Sequence, residues 1–309
     1  MTRKPRSRRR RILIILGIFI GLNLILGTLG FYFVGPYYIL EPPTHCTDHE
    51  WDVPYEELEI RGENDVPIAV LHTPAADSTK GVVILVHGIG SCKRQWVSVA
   101  ALLARRGYAS IAVDLRTHGN SGGEYCTFGY HEKQDIKQVA DWAFAKYPSS
   151  PVGIWGNSLG GAIGLQSLEN DPRLQFGVIE CTFTTMHQIV YDYHRRHVGF
   201  AIEWMVDRAL DRAGEIAAFD PEAVAPVVSC THIHQPVIIS HGTDDPNIDF
   251  AYGKELFNAL ASGQKEFVPV EGGHHNDLHT LGGWDYLNHF IDFIDHALAD
   301  KQLMEQAVL

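Results

Sequence analysis

Hydrophobic and polar positions along the chain fall into three regimes. Residues 12–34, ILIILGIFIGLNLILGTLGFYFV, run for 23 residues without a charge. A helix rises about 1.5 Å per residue, so this run spans a hydrocarbon core of roughly 30 Å and predicts a transmembrane helix rather than a core helix. Phe31, Tyr32, Phe33, Tyr37 and Tyr38 read as an interfacial aromatic belt, and no A-x-A site follows. The run therefore reads as an uncleaved anchor. Residues 35–57 hold Pro36, Pro42, Pro43 and Pro54 and no regular period, which predicts a juxtamembrane linker.

From 58 to 303 the pattern alternates. The continuous apolar run VVILV at 82–86 predicts a buried strand, as does ASIAV at 109–113, and further strands are predicted at PVGIW (151–155), FGVI (176–179), PVIIS (236–240) and EFVPV (266–270). Short strands over 58–61 and 68–72 predict an opening hairpin. Between these lie helical patterns over 96–106, 132–146, 160–168, 252–261 and 286–303. In the second of them Ile136, Val139, Ala140 and Ala143 share one face. The alternation predicts one α/β domain with a mostly parallel sheet covered by helices on both faces. Residues 182–219 interrupt it with an aromatic and charged helical stretch, either a lid over a site or a long crossover.

Charge sharpens the membrane reading. Residues 1–11 carry seven basic side chains and no acidic one, leaving 18 basic against 37 acidic residues in the remainder, a net charge near −19. So acidic a body excludes nucleic-acid binding through phosphates. The basic tail belongs on the cytoplasmic side, which places the body from about residue 40 across the membrane. Gly17 and Gly21 have the GxxxG spacing of helix-dimer faces and allow a homodimer. Outside the cytoplasm Cys46, Cys92, Cys126, Cys181 and Cys230 could form disulfides, with at least one left unpaired and no connectivity given.

The chemistry begins with GNSLG, residues 156–160, which fits G-x-S-x-G between a predicted strand and a predicted helix. A serine on so sharp a turn needs neighbours without side chains. A hydroxyl also needs a base, and the base a carboxylate; for this turn the chain order is Ser, acid, His. After strand PVIIS comes HGTDDPN with Asp244 and Asp245, and after EFVPV comes EGGHHNDL with His274 and His275. Strand VVILV runs into HGIG, residues 87–90, where the N–H of Ile89, with that of Leu159, would form an oxyanion hole. The seventeen histidines include the close pairs His194/His197 and His232/His234, but no H-E-x-x-H or Cys/His ligand set accompanies them. No metal and no cofactor is expected.

VVILVHGIGSCKRQW, YASIAVDLRTHGNSGG, PVGIWGNSLGGA, PVIISHGTDDPN and VEGGHHNDL together resemble the α/β-hydrolase superfamily, closest to membrane-tethered serine hydrolases similar to monoacylglycerol lipases, acyl-thioesterases and serine aminopeptidases. The resemblance covers roughly residues 55–300. It implies an eight-stranded sheet and a triad of Ser158, Asp245 and His275, with His274 standing where that group has glycine. It implies that Asp114, Arg116, His118 and Ser121 hold the loop beside the oxyanion turn, with Thr117 replacing a glycine, and that Glu132 and Asp135 are a structural acidic pair. The expected activity is hydrolysis of carboxylic esters or thioesters with an acyl, lipid-like part. Amide or peptide cleavage by the same triad, or lipid or partner binding without turnover, are the alternatives.

Overall fold

A computed structural model describes residues 6–46 and 53–308. Residues 1–5 of the basic tail and 47–52 of the linker lie outside the described residues. Helix α1 (Arg6–Leu40) leads into β1 (Glu56–Arg61), β2 (Pro67–Thr73), β3 (Gly81–Val86), α2 (Val97–Arg105), β4 (Tyr108–Val113), α3 (Glu132–Lys146), β5 (Val152–Asn157), α4 (Leu159–Asn170) and β6 (Gly177–Glu180). Then come α5 (Met186–Val198), α6 (Glu203–Ala217), α7 (Pro226–Cys230), β7 (Val237–Gly242), α8 (Phe250–Ala259), β8 (Lys265–Val270) and α9 (Leu278–Val308).

The eight strands form one sheet in the order β1-β2-β4-β3-β5-β6-β7-β8. β1 and β2 are antiparallel, β2 joins β4 antiparallel, and every other pairing is parallel. Side chains alternate across it with the period of the pleat. Val82, Ile84 and Val86 enter the core under α3 and α4, while Val83 and Leu85 enter a second core with Trp155, Phe176 and Phe290 under α2 and α9. Both faces are covered, which is why β3 reads as an unbroken apolar run. The chain turns from β4 on one side of β3 to β5 on the other, and the crevice at the C-terminal ends of β3 and β5 is where such a sheet places a site.

Two expectations are corrected. The apolar helix does not end at residue 34; α1 continues through Pro36 to Leu40, into the expected linker. Tertiary packing overrides the proline: Pro36 and Leu40 are buried against the domain, and the Leu40 carbonyl accepts the Cys126 N–H at 2.9 Å. The last helix starts at Leu278 rather than 286, with a break at Gly283, whose φ of 59° only glycine adopts readily. α1 is the one described helix long and apolar enough to cross a membrane, and Gly17 and Gly21 on it face open space. The stretch 182–219 holds α5 and α6; α6 packs along α1, and the Phe31 ring of α1 meets His194 of α5.

Candidate active site

Ser158 stands between β5 and α4 with φ 55° and ψ −118°, a strained conformation for a residue with a side chain. The surrounding glycines make the turn sterically feasible. A Cβ at Gly156 would run into the Gly160 carbonyl, and one at Gly160 into the Val86 carbonyl of the neighbouring strand. The end of β6 holds the turn from the side. The Ser158 N–H donates to the Glu180 carbonyl at 2.8 Å, and the Thr182 hydroxyl donates to the Ser158 carbonyl at 2.7 Å.

The loops after β7 and β8 converge on this hydroxyl. His275 Nε2 lies 2.9 Å from Ser158 Oγ, and His275 Nδ1 lies 2.7 Å from Asp245 Oδ2. With Nδ1–H donating to the carboxylate, Nε2 is the acceptor for the serine proton. The other Asp245 oxygen accepts the N–H groups of Asn247 at 2.7 Å and Ile248 at 3.0 Å. Burial pushes the Asp245 carboxyl up, but hydrogen bonds from His241 and His275, the charge of His275 and the Ile248 N–H outweigh it. The result is a carboxyl held well below the usual carboxylate range, and so ionised. The neighbours that the sequence left open point elsewhere. His274 is exposed and binds Asp277 through both its backbone N–H (2.7 Å) and its ring (3.1 Å), and Asp244 is exposed.

Ile89 and Leu159 both line the crevice at Ser158. The turn that carries Ile89 is pinned on both sides by histidines. His87 Nδ1–H donates to the Gly88 carbonyl at 2.7 Å while its Nε2 accepts the Leu115 N–H at 3.1 Å. His118 Nε2 accepts the Gly90 N–H at 3.1 Å. Burial, with the nearby His118 ring, pushes His87 down to about 3, so it is neutral and keeps the tautomer these bonds need. Asp114 accepts both the backbone N–H and the Nζ of buried Lys93 at 2.6 Å, and Ser121 ties Ala69 to the Asp114 carbonyl. Arg116 grips Asp135 with two bonds of 2.8 Å, and Glu132 accepts two N–H groups and a hydroxyl from Thr127 and Gly129. Thr117 has φ 66°, the left-handed backbone that explains the glycine usual there.

Sequence reasoning missed three supports. His87 and Lys93 were legible only as parts of HGIGSCK, with no sign of what they touch. Cys46 is disulfide-bonded to Cys92, fastening the segment after α1 to the stretch that follows the Ile89 turn, while Cys126, Cys181 and Cys230 are buried free thiols. Glu180, fully buried at the end of β6, accepts hydrogen bonds from Trp155 Nε1 and the Tyr286 hydroxyl, both 2.7 Å, and from His279 at 3.0 Å. Burial pushes Glu180 up, yet the His279 charge and these bonds hold it below its ordinary value. Cys181, Asp245 and His275 approach one another closely enough to share an ion, but Asp245 and His275 are already committed to each other and to Ser158.

In front of Ser158 opens a cavity of about 1040 Å³. Among the described residues its lining contains no Asp, Glu, Lys or Arg; Phe128, Leu159, Phe183, Ile189 and Ile248 are typical of it. At the upper end of ordinary small-molecule sites, it is large enough for a long apolar group.

This sheet, with a serine on a strand–helix turn, defines a serine hydrolase of the α/β-hydrolase superfamily. Residues 35–215 match the X-Pro dipeptidyl-peptidase (S15) family, and the chain belongs to it. The matched stretch carries the Ile89 turn and Ser158; Asp245 and His275 lie beyond it. The chain is 26% identical over 254 residues to the lysophosphatidylserine lipase ABHD12 of Xenopus tropicalis, covering 71% of this chain and 62% of the relative, so it spans less than two thirds of that protein's length. In fold it is similar to the esterase Pf2001 of Pyrococcus furiosus, with TM-score 0.68 and 20% identity over 83% of this chain and 98% of the esterase. A cold-adapted esterase from an Arctic intertidal metagenomic library aligns with TM-score 0.57 and 20% identity over 81% of this chain and 96% of that one.

Proposed function

We propose that the protein is a membrane-anchored esterase or thioesterase acting on substrates with an apolar acyl chain. Ser158 Oγ attacks the carbonyl carbon as its proton passes to His275 Nε2. Asp245 holds the ring and stabilises the imidazolium. The N–H groups of Ile89 and Leu159 receive the oxyanion. His275 then gives its proton to the departing alcohol or thiol, leaving an acyl-enzyme. Water, deprotonated by His275, attacks this ester, and collapse of the second tetrahedral intermediate releases the acid and restores the serine.

The observation that carries the reading is Ser158 at the wall of a large, mostly apolar cavity whose described lining holds no Asp, Glu, Lys or Arg. The lipase and esterase relatives support it. Peptide cleavage is the second reading, favoured by the family's name. A dipeptidyl-peptidase must hold a cationic amino terminus, however, and the described cavity lining offers no carboxylate to do so. α1 supports the anchor. Its basic end would lie in the cytoplasm and the body outside, where a disulfide such as Cys46–Cys92 persists.

The test uses the full chain in phosphatidylcholine vesicles. A fluorophosphonate should label the wild type but not Ser158→Ala, and p-nitrophenyl and thiol esters should be turned over in preference to X-Pro amides. No labelling of the folded wild type, or faster amide cleavage, overturns the proposal.

A further inference from the structure

We propose that the last turns of α1 are a wall of the acyl-binding cavity, so that the chain of a single-tailed amphiphilic ester passes from the bilayer leaflet directly to Ser158. This rests on the hydrolase reading and adds the class and source of its substrate. The anchor is then part of the substrate site, not a tether alone.

Gly30, Phe31, Val34, Gly35, Tyr38 and Ile39 line the same cavity as Ser158. Their spacing is that of one helical face. The facing wall is α5, which contributes residues from Ile189 to Val198 at the same spacing. The two helices meet where the Phe31 ring stands edge-on to His194, with ring centroids 4.8 Å apart. Two of the six α1 residues are glycines, which leave width for a chain between the helices.

The position of α1 is built into the domain. Leu40 is buried and bonded to Cys126; His45 donates its N–H to the Gly90 carbonyl at 2.7 Å; Cys46 is joined to Cys92. The last two fasten the segment after α1 to the turn that carries Ile89. Cavity wall and oxyanion turn are thus one mechanical unit.

Length and surface identify what lies outside the mouth. The 35 residues of α1 extend about 52 Å at ~1.5 Å each, well beyond a hydrocarbon core of roughly 30 Å. Counted from Ile12, about 20 residues fill that core and end near Phe31. The cavity-lining turns therefore begin where the helix leaves the acyl region. Beside them the α5–α6 connection exposes Val198, Phe200, Ile202 and Trp204, and the Phe200 ring lies 6.2 Å from His194. These apolar side chains continue the surface of a membrane-spanning helix, and the leaflet is the occupant that covers both. A substrate tail entering there exchanges lipid for an apolar cavity and never crosses water.

A sixteen-carbon alkyl fluorophosphonate with a diazirine near its chain end tests this on the full chain in phosphatidylcholine vesicles. Ser158 Oγ bonds to phosphorus, fluoride leaves, and the serine proton passes to His275; light then crosslinks the tail to whatever surrounds it. Peptide mapping should find the crosslink within residues 30–39 as well as in α5. An adduct on Ser158 with no crosslink in 30–39 overturns the α1 wall while leaving the hydrolase reading intact; no adduct on Ser158 overturns that reading and the inference with it. Independently, Gly35→Trp should lower kcat/KM for a palmitoyl ester about tenfold relative to an acetyl ester by occupying the cavity. Gly21→Trp, on a part of α1 facing open space, should leave the ratio at the wild-type value. An unchanged ratio in Gly35→Trp also overturns the inference.

Discussion

Two histidine–carboxylate pairs stand near the end of β6, four residues apart in the histidine and different in everything that surrounds them. His275 spends Nδ1 on Asp245 and has Nε2 left over for Ser158. His279 spends Nε2 on Glu180, whose remaining capacity goes to Trp155 and Tyr286. The first pair ends on a hydroxyl in an open cavity; the second ends on the buried Trp155 indole and Tyr286 hydroxyl. An ionised carboxylate beside an imidazole is therefore not itself a catalytic device. The third partner decides, and here it is a serine in one case and the core in the other.

That contrast makes graded predictions. The largest effect should come from Ser158→Ala or His275→Ala, each reducing ester turnover by ~10⁶-fold, as when either member of such a unit is removed. Steady-state assays with an active-site titration measure this, and a loss of tenfold or less would end the comparison. Asp245→Asn should follow, at ~10⁴-fold in kcat, because the amide no longer holds the tautomer that leaves Nε2 free.

The second pair should act on stability instead. Glu180→Gln should cost about 1–3 kcal/mol by weakening hydrogen bonds to a buried charge, read as a lower Tm, with activity reduced far less than by Asp245→Asn. His279→Gln should cost about 1 kcal/mol or less, since the His279 side chain is 38% exposed and partly screened. If His279→Gln suppressed kcat as strongly as His275→Ala, the division between the pairs would be wrong.

The smallest effect is in the pH dependence. Burial alone would lower His279, but Glu180 raises it above the ordinary 6.5. Its contribution is then complete below pH 6.5 and fades as pH rises through the higher folded value. Glu180 is shifted the other way, so its contribution is present above 4.5 and fades as pH falls through the lower folded value. Thermal unfolding of the wild type should lose stability above pH 6.5 more steeply than His279→Gln does. Parallel curves would remove the pair from the account.

Much of the fold was legible because its signals are local. A strand buried on both faces is mostly apolar, and β3 is so throughout, while β4 and β7 are apolar apart from buried Ser110, Ser240 and His241. The helix over Glu132–Lys146 carries its own period, and its expected limits match α3. The order of GNSLG, HGTDDPN and EGGHHNDL along the chain carried the candidate site as well. Glu180 and His279 were not legible, because 99 residues separate them and neither sits in a pattern; only the packing of α9 on β6 and β7 joins them. Nor was the end of α1, where a proline argued for a stop and burial of Leu40 argued more strongly for one more turn.

By itself the sequence determined the alternation of elements, the tight glycine-flanked serine and the segments able to supply its base and acid, since periodicity and steric demand act within a few residues. The motif resemblance already favoured His275, and the tertiary structure turned it, rather than adjacent His274, toward Ser158; only the tertiary structure decided which cysteine joins Cys46 and that the end of α1 lines the cavity. Adjacent residues share a composition but not a direction, and direction is set by contacts between segments distant in the chain.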